Sequence, residues 1–506
     1  MRFRRLVVVA ALAALLAGAC SSGEDDGGGT SSSTAPTTSA PAPTTTAPGA
    51  GVTAPTAVEG PIEGGRYGVP YNPMPTRLTD EYGYVEEEWF VSGQATSYEP
   101  VGELTTDGRW AVRPAAGAPY STRILVRRPV DADAFNGTVV VEWLNDSAGR
   151  NSDPQFGSLY PVLFEAGAAY VGVSAQSAGI EGGGVVIEVP GVPAVALAPL
   201  QEWDPERYRP LDHPGDAWSY DIFSQVAQLV RRPGDVDPLD GLSVEHVLGI
   251  GESQGAARLA TYINAVQPLA GIYDGFIVHS RSDGAAPLDN DPPRRPLVLR
   301  DDLDAPVLQL ETETDLITFG FLAARQPDSD AVATWEMAGT AHADASFIGY
   351  GRESSQEWLH GEFEDPAAQC GSVNDGPQSQ VLRAGYVALH GWVVDGTSPP
   401  AAAPIEVRAG DILRDENGNA LGGVRTPDVD APDSALTGIT PSANLFCLLF
   451  GASEPLTDAQ LADLYTDHDD YVAQVTASAD AAVEAGFLLP ADRDAYVEAA
   501  DAADVP

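Results

Sequence analysis

The pentapeptide Gly251-Glu252-Ser253-Gln254-Gly255 is the most distinctive local pattern in the sequence. It follows an apolar run rich in Val and Ile and precedes a run of alanines, so we predict a tight turn between a strand and a helix. Glycines are needed there because the serine backbone is strained and a Cβ would clash with the neighbouring chain. Ser253 is therefore a candidate nucleophile. The alternative is a glycine-rich turn without chemistry.

A serine hydroxyl is a weak nucleophile until a base removes its proton, so a histidine is expected further along the chain. Of the seven histidines, His342 lies in a short loop of small residues, 338–344, after a predicted strand. The imidazole in turn needs a carboxylate that fixes its tautomer and stabilises its charged form. Three acids follow the strand at 307–310, and we assign this role to Asp315, with Glu313 as the alternative.

The other histidines have less suggestive surroundings. His279 ends a predicted strand and could line the site without a catalytic role. The remaining five are expected to be ordinary surface or core residues: His213, His246, His360, His390 and His468.

The charge that develops on an attacked carbonyl oxygen needs two backbone N–H donors. One is expected from Gln254, directly after the nucleophile. The other is expected from the loop that follows the first central strand, residues 144–146, and Asn145 is the favoured residue.

Short apolar runs recur through the middle of the chain, with helical stretches between them. Continuous apolarity of this kind is typical of parallel strands that are covered on both faces. The predicted parallel strands are 138–143, 169–174, 244–250, 273–279, 306–310 and 332–337. The helices predicted between them are 219–232 and 256–266. Two further strands, 84–98 and 120–129, are predicted to be antiparallel and to lie at the edge of the sheet. The predicted fold class is α/β, a mostly parallel, doubly wound sheet with helices on both faces.

The catalytic core is expected to span residues 57–400, and residues 401–506 are expected to form a hairpin and helices packed on it. Asn417-Gly418 is a hairpin turn signal, and Thr457 with Gln460 forms a capping box. A separate domain is the alternative. Residues 179–216 are rich in Gly and Pro, and they form either a lid, a pocket wall or a surface excursion.

The amino-terminal residues 1–19 predict an export signal, because basic, apolar and small residues follow one another in that order. The apolar run at 6–16 is shorter than the roughly 20 residues that span a bilayer. Cys20 follows the small residues as in bacterial lipoproteins and is a candidate for lipidation, although Ala17 stands where Leu is usual. Plain secretion is the alternative. Residues 20–56 are mostly Ser, Thr, Pro, Gly and Ala, and predict a disordered tether.

The chain has three cysteines, and Cys370 and Cys447 remain once Cys20 is set aside. In an oxidising compartment these two are expected to form a disulfide, with two separate buried thiols as the alternative.

The formal net charge of −46 repels nucleic acid and other polyanions, so a nucleic-acid partner is not expected. The composition does not predict an oligomeric state, and a membrane contact is expected only through the lipid anchor.

Longer motifs resemble the α/β-hydrolase superfamily, and more narrowly a group of large, often exported bacterial α/β-hydrolase-domain proteins. They begin at Glu142 (EWLN), Val173 (VSAQ), Ser219 (SYDIFSQ), Gly251 (GESQG), Glu311 (ETETD), Gly339 (GTAHAD), Asn374 (NDGP) and Gly418 (GNALGGVRTP). The chain order serine, acid, histidine is also the order expected on this fold.

The resemblance implies hydrolysis of a small-molecule carboxylic ester through an acyl-enzyme, with neither a metal nor an organic cofactor. Amide or peptide hydrolysis with the same three residues is an alternative within the enzyme class. A second hypothesis is a non-catalytic envelope lipoprotein that uses this fold to bind a ligand or a partner.

Overall fold

The computed structural model describes residue 49 and residues 51–147, 149–183, 198–288, 293–359, 366–442, 444 and 446–505. The predicted export signal, Cys20 and most of the predicted tether lie outside these residues. Over the described ranges, no helix combines the length and apolarity that crossing a membrane requires.

A nine-stranded sheet, counted over the described residues, forms the centre of the fold, with the strand order β1-β2-β3-β5-β4-β6-β7-β8-β9. The strands are β1 Ala57–Glu59, β2 Tyr84–Pro100, β3 Val112–Pro129, β4 Thr138–Trp143, β5 Ala169–Val173, β6 His246–Glu252, β7 Gly275–His279, β8 Val307–Thr312 and β9 Val332–Met337. Strands β4 to β9 are parallel, whereas β1, β2 and β3 are antiparallel and form one edge. The predicted fold class is confirmed.

Helices flank this sheet and continue into the carboxyl-terminal part. They are α1 Thr76–Tyr82, α2 Pro154–Glu165, α3 Ser177–Glu181, α4 Leu200–Trp203, α5 Pro205–Tyr208, α6 Ser219–Arg231, α7 Gln254–Thr261, α8 Gln267–Ala270, α9 Glu313–Ile317, α10 Ala345–Leu359, α11 Pro366–Cys370, α12 Gln378–Asp395, α13 Pro427–Asp430, α14 Asp458–Leu464, α15 His468–Glu484 and α16 Pro490–Ala502. A π-helical turn, Tyr262–Val266, joins α7 to α8.

The two faces of the sheet are covered by different helices. On one face α6 and α7 pack on alternate strand residues that include Val139 and Val141. On the other face α2 and α12 pack on residues that include Val140 and Leu248. Because both faces are buried, the central strands are apolar at successive positions instead of alternating.

The carboxyl-terminal extension packs on the core at several points. Arg383 of α12 donates to Asp492 of α16, and the rings of Trp335 and Phe487 lie 5.0 Å apart. Thr457 makes the predicted capping box with Gln460 at the start of α14. The extension also contains two small antiparallel ladders, β10 Val407–Arg408 with β11 Asp411–Ile412 and β12 Ser434–Thr437 with β13 Ala452–Pro455.

The described part of the stretch at 179–216 is packed against the edge of the sheet. Trp203 and Tyr208 are buried, and the Trp203 ring lies 5.0 Å from that of Tyr71. Arg207 donates to the buried carboxylate of Glu88 on β2. Residues 184–197 lie outside the described residues, and so does the Val-rich part of this stretch.

Cys370 and Cys447 form the predicted disulfide. It joins the end of α11 to the 3-10 turn Phe446–Leu448. The residues that follow this turn contact the loop of His342, because the N–H of Ala343 donates to the carbonyl of Leu449 at 3.0 Å.

Candidate active site

Ser253 lies on the turn between β6 and α7, with φ 55° and ψ −111°. A positive φ is unfavourable for a residue with a Cβ and persists only where the surroundings enforce it. Here the N–H of Ser253 donates to the carbonyl of His279 on the neighbouring strand β7 at 2.9 Å. The turn therefore holds the serine above the carboxyl edge of the sheet in one strained conformation.

The two glycines of the motif are required by close backbone contacts. A Cβ on Gly255 would lie 2.7 Å from the carbonyl oxygen of Trp143 on β4, and a Cβ on Gly251 would lie 2.9 Å from the carbonyl carbon of Gly255. Real Cβ atoms do not approach other atoms so closely. The spacing of the motif thus follows from the packing of α7 onto β4 and β6.

The structure brings Ser253, His342 and Asp315 into one hydrogen-bonded row. His342 Nε2 lies 2.8 Å from Ser253 Oγ, and His342 Nδ1 lies 2.7 Å from Asp315 Oδ1. The three residues follow three parallel strands, β6, β8 and β9, whose carboxyl ends meet at one edge of the sheet. His342 is 6% exposed and Asp315 is fully buried.

Asp315 is held by the local structure of its own helix. It is the third residue of α9, and its Oδ2 accepts from the backbone N–H and the hydroxyl of Thr312 in a capping box. Burial by itself would raise the pKa of Asp315. The charge of His342 and the hydrogen bonds from His342 and Thr312 have the opposite and larger effect, so the pKa of Asp315 is lowered. The carboxylate is therefore charged and has one oxygen free for the imidazole.

Glu313, the alternative acid, lies two residues earlier and has other partners. Its Oε1 accepts from the N–H of Gly339, and its Oε2 accepts from the N–H of Gly438 and lies 2.6 Å from Arg414 Nη2. These bonds join the loop that carries His342 to the carboxyl-terminal extension. Of the two acids, Asp315 is the one in contact with His342.

The backbone of Gln254 is placed as expected for an oxyanion donor, but that of Asn145 is not. Gln254 is the first residue of α7, where an N–H has no intrahelical acceptor. The N–H of Asn145 donates to the carbonyl of Ser152 at 2.9 Å, which corrects its predicted role. The N–H of Asp146, in the same loop, donates to the side-chain oxygen of Gln254 at 3.2 Å.

The Asn145 side chain instead holds Glu252, a residue for which the sequence predicted no function. Asn145 Nδ2 donates to the carbonyl of Glu252 at 3.2 Å and to its Oε2 at 3.3 Å. Glu252 Oε1 lies 3.6 Å from His342 Nε2, the nitrogen that also faces Ser253. The available signal was the position of Glu252 next to the nucleophile at a strand end.

His279 forms part of a buried polar layer beneath His342. Its Nδ1 lies 2.7 Å from Gln155 Nε2 and its Nε2 lies 3.1 Å from Gln378 Nε2. Burial lowers the pKa of His279 to about 3, so its ring is neutral. Gln378 also donates to the carbonyl of His342 at 3.4 Å. His279 therefore supports the site through the two glutamines and through its main-chain carbonyl, which accepts from the N–H of Ser253.

The charges around His342 favour its protonated form. Burial by itself lowers the pKa of His342, but the carboxylates of Asp315 and Glu252 outweigh burial and raise it. Among the described residues, no group of three or more His, Cys, Asp or Glu side chains is placed to bind a metal ion. The arrangement suits proton transfer from a serine hydroxyl to a histidine.

A doubly wound sheet with serine, acid and histidine in this chain order at its carboxyl edge defines the α/β-hydrolase class. The chain belongs to the alpha/beta hydrolase domain family, whose model matches residues 58–498.

Solved structures that are similar to this chain are α/β hydrolases and esterases at low sequence identity. XC6422 from Xanthomonas campestris, an α/β serine hydrolase without a lid, is 15% identical over 53% of this chain and 97% of its own, with a TM-score of 0.26. An esterase from Rhizomucor miehei is 11% identical over 55% of this chain and 82% of its own, with a TM-score of 0.26. Est1E from Butyrivibrio proteoclasticus, with bound ferulic acid, is 12% identical over 51% of this chain and 98% of its own, with a TM-score of 0.27. Comparison with curated proteins finds no match.

Proposed function

We propose that this protein hydrolyses carboxylic esters through an acyl-enzyme, with Ser253 as nucleophile, His342 as general base and Asp315 as the acid that orients it. The observation that carries the proposal is the continuous row of two hydrogen bonds, 2.8 Å from Ser253 to His342 and 2.7 Å from His342 to Asp315. Nucleophile and base are within hydrogen-bonding reach, and the base is oriented by a third group, as nucleophilic catalysis requires.

In the first half of the reaction, Ser253 Oγ attacks the ester carbonyl carbon while His342 Nε2 accepts the serine proton. The carbonyl oxygen becomes an oxyanion, which accepts from the N–H of Gln254 and, once the Gln254 side chain moves aside, from the N–H of Asp146. The C–O bond to the leaving group then breaks, and His342 returns its proton to the departing alcohol. Ser253 is left as an ester of the acyl group.

In the second half, water takes the place of the alcohol. His342 removes a proton from the water, whose oxygen attacks the acyl carbon, and the bond from that carbon to Ser253 Oγ breaks. The proton returns to Ser253 and the carboxylic acid is released. Asp315 stays charged throughout and stabilises the imidazolium that forms in each half.

The test is hydrolysis of p-nitrophenyl esters of increasing acyl length by the purified protein and by its Ser253→Ala variant. We expect a loss of activity of about 1,000-fold or more, since removal of the nucleophile removes the covalent route. A fluorophosphonate reagent, which reacts with activated serines, should label the wild type but not the variant.

Ser280→Ala is the matched control. Ser280 is also a buried serine with a positive φ directly after a neighbouring strand, and its hydroxyl has no hydrogen-bond partner among the residues that the structure describes. This variant should keep both activity and labelling. Activity that survives in Ser253→Ala would refute the proposal, and cleavage of anilides in preference to esters would assign the site to amide substrates.

We further propose that the protein is exported and anchored to the outer face of the cell membrane by a lipid on Cys20. The support is the amino-terminal sequence, in which basic, apolar and small residues precede Cys20. Cells fed a labelled fatty acid should yield labelled wild-type protein and unlabelled Cys20→Ser protein. Wild-type protein recovered without label in the medium would show plain secretion.

A further inference from the structure

Glu252 places a second carboxyl group beside the histidine. Its Oε1 lies 3.6 Å from His342 Nε2, on the side of the ring opposite the nitrogen that Asp315 contacts. His342 therefore has an acid near each of its two ring nitrogens. Because Glu252 immediately precedes Ser253 in the chain, its carboxyl and the nucleophile face the same nitrogen from adjacent positions.

Asn145 holds this carboxyl in place. Its amide donates both to the side chain and to the main-chain carbonyl of Glu252, and Glu252 is only 8% exposed. A buried polar side chain that receives a bond on one oxygen and directs the other toward a reacting group is fixed in orientation. Asn145 lies in the loop that follows β4, and Glu252 is the last residue of β6, the strand next to β4 in the sheet.

The surroundings of Glu252 set its charge. Burial raises the pKa of Glu252 to about 7, with Asp315 adding to the rise and His342 and Asn145 opposing it. The titratable groups that face this part of the site are His279 on β7, Asp315 on α9 and His342 after β9. His279 is neutral because burial holds its pKa at about 3. Glu252 therefore changes its charge over the same pH range as a histidine.

We propose that Glu252 is a positioning residue for His342, and that its carboxylate stabilises the imidazolium formed when Ser253 loses its proton. The side chain of Asn145 holds the carboxylate of Glu252 in that position. The assignment rests on the function proposed above. Glu252 gains and loses no proton during the reaction. The serine proton stays on His342 Nε2 until it passes to the leaving alcohol, while the two carboxylates face the charged ring from opposite sides.

The coupling of Glu252 and His342 has a measurable signature. Two neighbouring groups with pKa values in one range titrate as a pair, so His342 should show two steps in the wild type. In Glu252→Gln the partner charge is removed without much change of shape. His342 should then titrate in one step, with a pKa lower by about one unit because an opposite charge no longer favours its charged form.

The experiment is a pH titration of histidine ring nitrogens by NMR on protein labelled with ¹⁵N-histidine. The signal of His342 is assigned as the one that disappears in His342→Gln. Glu311→Gln is the matched control, because Glu311 is also a buried acid near the end of a strand, on the next strand but one, and burial raises its pKa well above the ordinary value. The control should leave the titration of His342 as in the wild type.

A pKa of His342 that stays within about 0.3 units of the wild type in Glu252→Gln would overturn the proposal. Should that variant not fold, as judged by thermal unfolding, Asn145→Ala acts on the same carboxyl from the loop after β4 and should also lower the pKa of His342. Because the titration needs no substrate, its outcome stands apart from whether the protein hydrolyses esters. With an ester as substrate, kcat/KM of Glu252→Gln should fall about tenfold. The rise of kcat/KM on the acidic side of its pH profile should also move to lower pH.

Discussion

Arg414 Nη2 lies 2.6 Å from Glu313 Oε2, and this ion pair joins the carboxyl-terminal extension to the loop of His342. Glu313 stands only two residues from Asp315 on the same short helix. The two acids nevertheless have separate partners, because successive side chains of α9 point in different directions. One acid supports the loop and the other contacts the histidine.

We therefore expect Asp315→Asn and Glu313→Gln to fail in different ways. Asp315→Asn should keep the fold but lower kcat by about 1,000- to 10,000-fold, since an amide favours the wrong histidine tautomer. Glu313→Gln should lose about 2–3 kcal/mol of unfolding free energy, because an amide NH₂ cannot accept the bonds that the carboxylate accepts. Urea unfolding and steady-state kinetics at a temperature where both variants are folded separate the two effects. A fully active Asp315→Asn protein would contradict the assignment.

The pH profile follows from the charge of His342. The ring accepts the serine proton only when it is neutral, so kcat/KM should rise with pH through the pKa of His342. Because that pKa is raised in the folded protein, the midpoint should lie above the ordinary histidine value of about 6.5. In Asp315→Asn the residual activity should have its midpoint at lower pH. A wild-type midpoint well below 6 would be inconsistent with this electrostatic environment.

The turn that carries the nucleophile should not tolerate a larger residue at Gly255. A Cβ there would lie 2.7 Å from the carbonyl oxygen of Trp143, so Gly255→Ala requires the helix to move away from the sheet. We expect activity to fall more than 100-fold and unfolding free energy to fall by about 2 kcal/mol. Gly391→Ala is the control, because Gly391 lies in the helix α12 and no atom of the described residues lies within 4 Å of the position of its missing Cβ. That variant should be more stable by up to about 1 kcal/mol.

The disulfide should stabilise both the fold and the histidine loop. Loss of the Cys370–Cys447 bond should cost about 3 kcal/mol. The carbonyl of Leu449, just after Cys447, accepts a hydrogen bond from the N–H of Ala343, the residue next to His342. Reduction of the disulfide should therefore lower activity at temperatures well below the temperature of global unfolding. Thermal unfolding and activity are measured with and without reductant. The variant with both cysteines replaced by serine should behave like the reduced wild type, and reductant should not change it further.

Much of the sheet could be predicted because its signal is local. The central strands are continuous apolar runs, and each predicted parallel strand lies within a few residues of the observed one: 244–250 against His246–Glu252 is typical. The edge strand predicted at 120–129 is longer in the structure, Val112–Pro129. The helix expected at 256–266 begins at Gln254 and passes into a π-helical turn at Tyr262. That change depends on packing against other elements, which apolar spacing does not encode.

The site was predictable in its residues and less so in its hydrogen bonds. Ser253, His342 and Asp315 are placed by their positions after strands, which sequence patterns reveal. The partner of a particular N–H depends on how a loop folds back. Asn145 was expected to offer its backbone, but that N–H bonds Ser152 and its side chain holds Glu252 instead.

The bond between α12 and α16 has a practical consequence for handling the protein. Gln378, at the start of α12, donates to the carbonyl of His342, and Arg383 on the same helix donates to Asp492 at the start of α16. A shortened version of the protein that lacks α16 would take Asp492 away from Arg383. Versions made for kinetic work should therefore keep α16, and the kinetic constants of any shortened version should be compared with those of the longer protein.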